Sequence, residues 1–333
     1  MYPLKFQPIF QKRLWGGQRL RGLLNKPVEA TLREPVGESW ELADLPAGTV
    51  KGDSAGAAAD GSLSSVIANG AWAGKSLREA IGKSGAGIQK GAGGYFPLLI
   101  KFLDAQQDLS VQVHPDAEYC RRHPGSHLKT EAWYIMHAEA GARIYKGLKA
   151  GVTKEQFRAA LAAGQVEPLL HAIPARVGDC HLLHSGTVHA IGAGILAAEV
   201  QTPSDTTFRV FDWNRLDSTG KARALHVEEA LECIKFGSVP VAEALVSERP
   251  GMTRVAACDY FTIDRAQLGQ GKTQAILDGM AIWIILQGQG VIAIESTPPT
   301  AFTKGDTILL PAGMKDARVN TIADTSWLEV RLP

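Results

Sequence analysis

The chain has 333 residues, of which 45% are hydrophobic and 21% charged, enough for a packed core of one large domain or two ordinary ones, and not the profile of a disordered chain. Thirty-five Lys and Arg against thirty-four Asp and Glu leave a formal charge of +1, which excludes a chain-wide basic face and, with it, nucleic acid as a general partner. Four scattered cysteines without a CxxC pair fit neither a zinc ribbon nor a disulfide scaffold, and the apolar run at 280–286 is far short of the ~20 residues a membrane span needs. The first seventeen residues are interrupted every few positions by Lys, Gln, Arg or Pro, so a signal peptide is not expected. A cytoplasmic protein with no membrane partner is the expectation.

In chain order, residues 51–94 are rich in Gly, Ala and Ser and are expected to form a surface excursion with one short helix at 76–81. Residues 95–103 read as a strand buried on both faces, interrupted by Lys101. Residues 109–114 alternate: Val111 and Val113 face one way, Ser110, Gln112 and His114 the other. Strands are expected at 132–136 and 142–145. A helix is expected over 153–171, with Thr153 as cap and Gln156 completing a capping box. Strands follow at 177–183, 195–200 and 207–211, then a helix at 226–236. Beyond 250, short strands recur between Gly and Pro.

Gly178-Asp-Cys-His-Leu-Leu-His-Ser-Gly-Thr-Val-His189 can be laid over Gly305-Asp-Thr-Ile-Leu-Leu-Pro-Ala-Gly-Met-Lys-Asp316. Both read as strand, turn, strand, and the second copy has Asp316 where the first has His189. The expected class is therefore mainly β, a barrel or sandwich unit present in two copies with a few inserted helices. Residues 1–218 would carry the chemistry, with 51–94 as an insertion. Residues 219–333 would be a helical linker and a second, metal-free barrel.

Gln112 and His114 share a strand face, Glu131 opens the next strand, and His189 follows a Gly-Thr turn. Their two nitrogen and two oxygen donors suit a zinc-like divalent ion with open positions. A single histidine is more often a hydrogen-bonded residue than a ligand. His123 and His127 are accordingly taken as surface residues. His181 and His184 alternate to opposite faces, and neither is needed.

Five segments, Phe96-Pro-Leu-Leu-Ile-Lys101, Leu109-Ser-Val-Gln-Val-His-Pro115, Lys129-Thr-Glu131, Gly186-Thr-Val-His-Ala-Ile191 and Glu199-Val-Gln-Thr-Pro-Ser-Asp-Thr-Thr-Phe-Arg209, closely resemble the type I phosphomannose isomerases in content and order. Leu14-Trp-Gly16 and Gly37-Glu-Ser-Trp40 are similar to the same family. The resemblance implies a cupin (jelly-roll) fold and interconversion of mannose 6-phosphate and fructose 6-phosphate. It implies one Zn2+ per chain on Gln112, His114, Glu131 and His189, and places the family's active-site arginine on Arg209. Lys129 and Glu199 fall on its conserved Lys and acidic positions, and Lys101 and Ser110 on its phosphate-binding ones. His184-Ser-Gly186 departs from the family's usual Pro-Ala-Gly before the last ligand.

In that reading the proton moves between C1 and C2 through an enediol, with Glu199 or Lys129 as the base and Arg209 beside the developing charge. Asp205 is either a partner that orients Arg209 or a turn former. Trp15, Trp40 and Trp133 are read as core. The alternatives are an isomerase of a related sugar, a non-catalytic sugar-binding cupin, and an iron-dependent cupin oxygenase. A monomer and a homodimer fit the sequence equally.

Overall fold

A computed structural model of the chain describes all residues except 30–34, 51–53, 86, 217–219, 238–245, 248, 250 and 296. The expected boundary at 218 therefore lies outside the described residues, as do the first three positions of the 51–94 stretch.

Four large sheets stack as layers. The second layer is a six-stranded sheet holding Ile9–Gly17, Val36–Leu42, Leu99–Ala105, Glu131–Ala138, Cys180–Leu183 and Ile195–Gln201. On one side it faces a five-stranded sheet of Val111–Val113, Arg143–Leu148, Leu170–Pro174, His189–Ile191 and Phe208–Phe211. Trp15, Leu103, Ile135, Ile144, Ile191 and Ile195 fill the space between these two. The six-stranded sheet's other face packs on a second six-stranded sheet from the C-terminal part, with Ile100, Phe102, Ala198 and Val200 against Ile263, Ile282, Ile284 and Val330. That sheet in turn covers a four-stranded one through Trp283, Ile292, Phe302 and Trp327. The inner layers are buried on both faces, which is why Leu99–Ala105 and Ile195–Gln201 carry no apolar–polar alternation.

The two segments that overlay in sequence run alike. Cys180–Leu183 and His189–Ile191 cross from a six-stranded to a five-stranded sheet, and Thr307–Leu310 and Arg318–Thr321 cross from a six-stranded to a four-stranded one. The chain start is shared: Leu4 and Lys5 pair with Leu309 and Ile308 of the C-terminal sheet.

Two expectations change. The helix expected over 153–171 spans only Lys154–Ala162, with the Thr153–Gln156 capping box in place. Gly164 takes a left-handed φ of 65°, Pro168 lies in a short 3-10 turn, and Leu170–Pro174 is a strand. The 51–94 stretch contributes to the core through Leu63, Ile67, Leu77, Ala80, Ile81 and Ile88. Leu77, Ala80 and Ile81 keep the helical spacing, while Leu63, Ile67 and Ile88 follow no period. The helix there, Leu77–Lys83, is capped by Ser76 and Glu79.

Candidate metal centre and active site

Strand register places the site. In the six-stranded sheet, Trp133 pairs with Glu199, Glu199 with Lys101, and Lys101 with Trp40. In the five-stranded sheet, Arg209 pairs with Gln112, and Gln112 with His189. Directly paired residues project from the same sheet face, so each set forms a row. Val111 and Val113 pack outward beneath the helices Lys154–Ala162 and Val227–Cys233, which turns Gln112 inward. The two rows face each other across the sandwich.

Between them lie His114, Glu131 and His189, whose ligand atoms all fall within 4.8 Å of one another. Glu131 Oε2 is 3.3 Å from His114 Nε2, and Oε1 is 3.3 Å from His189 Nε2. His189 Nδ1 donates to the Thr187 carbonyl at 2.8 Å and His114 Nδ1 to that of Thr206 at 3.2 Å. These bonds fix the tautomer and leave both Nε2 lone pairs pointing at Glu131. The Gln112 amide reaches His189 Nε2 at 3.2 Å, and turning it over presents its oxygen to the same point.

This donor set fits a divalent cation. Glu131 is completely buried, and neither its oxygens nor His114 Nε2 has a hydrogen-bond partner among the described residues. Burial holds the His114 imidazole down at about 3, so it is neutral and able to ligate. Burial opposes the Glu131 charge, but Lys129 at 3.1 Å and His114 hold its carboxyl well below the usual range.

A chain of alternating charges leads away from the ligands. Lys129 is buried, and despite that desolvation Glu131 and Glu199 keep its ammonium pKa raised. Lys101 lies 3.1 Å from Glu199 and 3.9 Å from Glu38, over the Trp40 ring at 4.9 Å. Arg13 closes the chain on Glu38 at 2.6 Å. Burial pushes the Glu199 carboxyl up against the pull of Lys101. Glu38 behaves oppositely: burial is outweighed by Arg13 and Lys101, and its carboxyl sits at about 2.

Of the residues picked from sequence, Gln112, His114, Glu131 and His189 converge, with Lys129 joined to Glu131 and Lys101 joined to Glu199. Ser110 accepts a hydrogen bond from Arg209 Nε at 3.2 Å, and Arg209 also donates to the Ala224 carbonyl at 3.0 Å. Asp205 acts on Arg13 and Lys129, while Ser110 and Ala224 hold Arg209. His184 is exposed, and His127 is half-buried, its backbone bonded to Thr206 and Ser204. The sequence reading missed Glu38, although it stands in the Gly37-Glu-Ser-Trp40 motif. Trp40 and Trp133 are fully buried, as core tryptophans are, yet their indole N–H groups donate to Glu38 at 2.7 Å and Glu199 at 2.9 Å.

Fold and site together define a metal-binding cupin-type β protein. The family model for the phosphomannose isomerase type I catalytic domain matches residues 3–139. The mannose-6-phosphate isomerase of Streptococcus mutans is 36% identical over 316 residues, 94% of this chain and 93% of that protein. The crystal structure of the mannose 6-phosphate isomerase from Bacillus subtilis matches with a TM-score of 0.85 at 29% identity, over 99% of this chain and 100% of that one. A more distant structure, a mannose 6-phosphate isomerase bound with zinc and yttrium, shares the fold over the whole of both chains at 18% identity, with a TM-score of 0.71. The chain belongs to the type I phosphomannose isomerase family.

Proposed function

We propose that the protein interconverts mannose 6-phosphate and fructose 6-phosphate, and that the buried His114–Glu131–His189 cluster with Gln112 holds a zinc ion. The carrying observation is that cluster, completely buried at Glu131, lying beside Lys129 and between rows that bring Glu199 and Arg209 to the same space. A bound divalent ion supplies Lewis acidity at the sugar's C1 and C2 oxygens.

The chain's own residues divide the remaining work. Glu199 takes the proton from one carbon and returns it to its neighbour; burial raises its affinity for a proton, as suits a base, while Lys101 and the Trp133 N–H oppose that rise and hold the carboxylate in place. Lys129 keeps Glu131 ionised and hydrogen-bonds the sugar oxygens. Arg209 stabilises the enediolate charge as a permanent donor. Lys101 and Ser110 contact the substrate. In this reading residues 1–218 form the catalytic unit and 219–333 support it. Four free cysteines and the absence, among the described residues, of a helix long and apolar enough to cross a membrane support a cytoplasmic setting.

A coupled assay with mannose 6-phosphate and with free mannose, before and after chelation, tests this. Turnover of the phosphate that chelation abolishes is the expected result. Preference for the free sugar, or activity indifferent to chelation, sinks it.

A further inference from the structure

Charge is unevenly shared around the site. On one side Arg13, Lys101 and Lys129 alternate with Glu38, Glu199 and Glu131, three cations against three carboxylates, and Asp205 adds a further negative charge near Arg13 and Lys129. Lys101 is thus committed to two carboxylates and is only 4% exposed. On the other side two guanidinium groups share one carboxylate and a third lies near them. Asp212 accepts from Arg215 at 2.6 Å and from Arg223 through Nε at 2.7 Å and Nη2 at 2.5 Å. The third, Arg209, is bonded to the carbonyl of Ala224, the residue next to Arg223. Like-charged neighbours are normally avoided in a half-buried place, and where they persist an anion is the usual complement. Burial, and after it the charge of Arg223, hold the Arg209 guanidinium down at about 10.

The geometry points to Arg223, clamped on Asp212, as the residue that reads the substrate's phosphoryl group together with the Ser110 hydroxyl, leaving Arg209 to the enediolate charge. This rests on the proposed sugar phosphate activity and moves the anion's main counter-charge from Lys101 to the Arg209–Arg223 side. Asp212 positions the fork of Arg223, because a guanidinium held by Nε and one terminal nitrogen keeps its remaining N–H groups aimed in one direction. Arg215, on the same carboxylate, adds charge to the cluster. The excess of positive charge suits a dianion, and a neutral sugar gains nothing from it.

The test uses the metal-loaded enzyme, with mannose 6-phosphate as substrate and inorganic phosphate as competing anion. Arg223→Gln is expected to raise KM for mannose 6-phosphate at least about twentyfold, within the range for a lost charge-assisted contact, with kcat nearly unchanged. It should weaken inhibition by inorganic phosphate by a similar factor and leave any slow turnover of free mannose unaltered. Arg223→Lys keeps the charge but loses the fork, so its KM should rise by a smaller factor. That variant carries the test if the glutamine variant does not fold. An unchanged KM and an unchanged phosphate inhibition constant in either folded variant would overturn the assignment. Wild-type enzyme that ignores mannose 6-phosphate would instead overturn the reading on which it rests.

Discussion

Trp133 and Glu199 stand opposite each other on paired strands, and the indole N–H donates to the carboxylate at 2.9 Å. Trp283 and Glu329 repeat this relationship in the C-terminal six-stranded sheet at 3.0 Å, again as directly paired residues. In the first pair the neighbour across Glu199 is Lys101; in the second, Glu329 is instead held by Arg331 and Arg249. The same pair thus serves two settings: beside the His114–Glu131–His189 cluster it orients a carboxylate, and in the other sheet it is closed off by guanidinium groups.

Replacing Trp133 by Phe keeps a ring against His189 but removes the donor to Glu199. A hydrogen bond to a charged group contributes about 1.5–3 kcal/mol, so kcat should fall roughly ten- to hundredfold while KM changes little. Trp283→Phe is the control: it should lower thermal stability and leave turnover intact. Steady-state kinetics of both variants decide the matter, and an unaffected kcat in Trp133→Phe would remove Glu199 from the proton-transfer role.

Metal removal should affect both activity and stability. The Glu131 oxygens and His114 Nε2 are buried without hydrogen-bond partners among the described residues, so a bound cation stabilises only the folded chain. At a free metal concentration one hundred times its Kd the gain is about 2.7 kcal/mol. Dialysis against a chelator should lower the melting temperature and abolish turnover, and added zinc should restore both. His114→Ala and His189→Ala should bind far less metal, as measured by elemental analysis, and lose activity by about a hundredfold or more.

Glu38 gives a pH signature. Its folded carboxyl sits at about 2, below the ordinary glutamate value of 4.5, so an unfolded chain takes up the proton first. The resulting stabilisation is complete above pH ~4.5 and is lost as pH falls through about 2. The shift corresponds to about 3 kcal/mol. Glu38→Gln should therefore flatten the loss of stability between pH 4.5 and 3, measured by denaturant unfolding. An identical acid slope in the variant would mean that Arg13 and Lys101 do not act on this carboxylate.

Thr153 offers a check remote from the chemistry. Its hydroxyl accepts from the Gln156 backbone N–H at 3.2 Å, and the Gln156 side chain answers at 3.0 Å. Thr153→Ala should cost about 1 kcal/mol in unfolding experiments. KM and kcat should stay at wild-type values, because the helix it caps covers the outer face of the five-stranded sheet.

The convergence of Gln112 and His114 was legible because a strand's two-residue period puts them on one face whatever surrounds them, and Lys101 stood out because a lysine is out of place in an apolar run. Glu38 and Asp212 were not legible. Glu38 sits between Gly37 and Ser39 and Asp212 between Phe211 and Trp213, with no pattern that marks either, and the partners that give them meaning, Lys101 for Glu38 and Arg215 and Arg223 for Asp212, appear only in the folded chain. The expected helix over 153–171 runs past its true end at Ala162 into Leu170 and His171, because a strong cap at Thr153 says where a helix begins but nothing about its end. In residues 51–94 the described strand is the two-residue Leu63–Ser64, too short for any alternation to mark it.

The two-residue strand Leu4–Lys5 forms the outer border of the C-terminal six-stranded sheet, lying along Thr307–Leu310 with Lys5 bonded to Asp306 at 2.8 Å. A short border strand bearing a lysine is a poor template for another chain. Trimming the first six residues would uncover the backbone groups of Thr307–Leu310, and the shortened protein would be prone to pair edge to edge with its own copies. The opening residues thus act as a guard against self-association, far from any role in turnover.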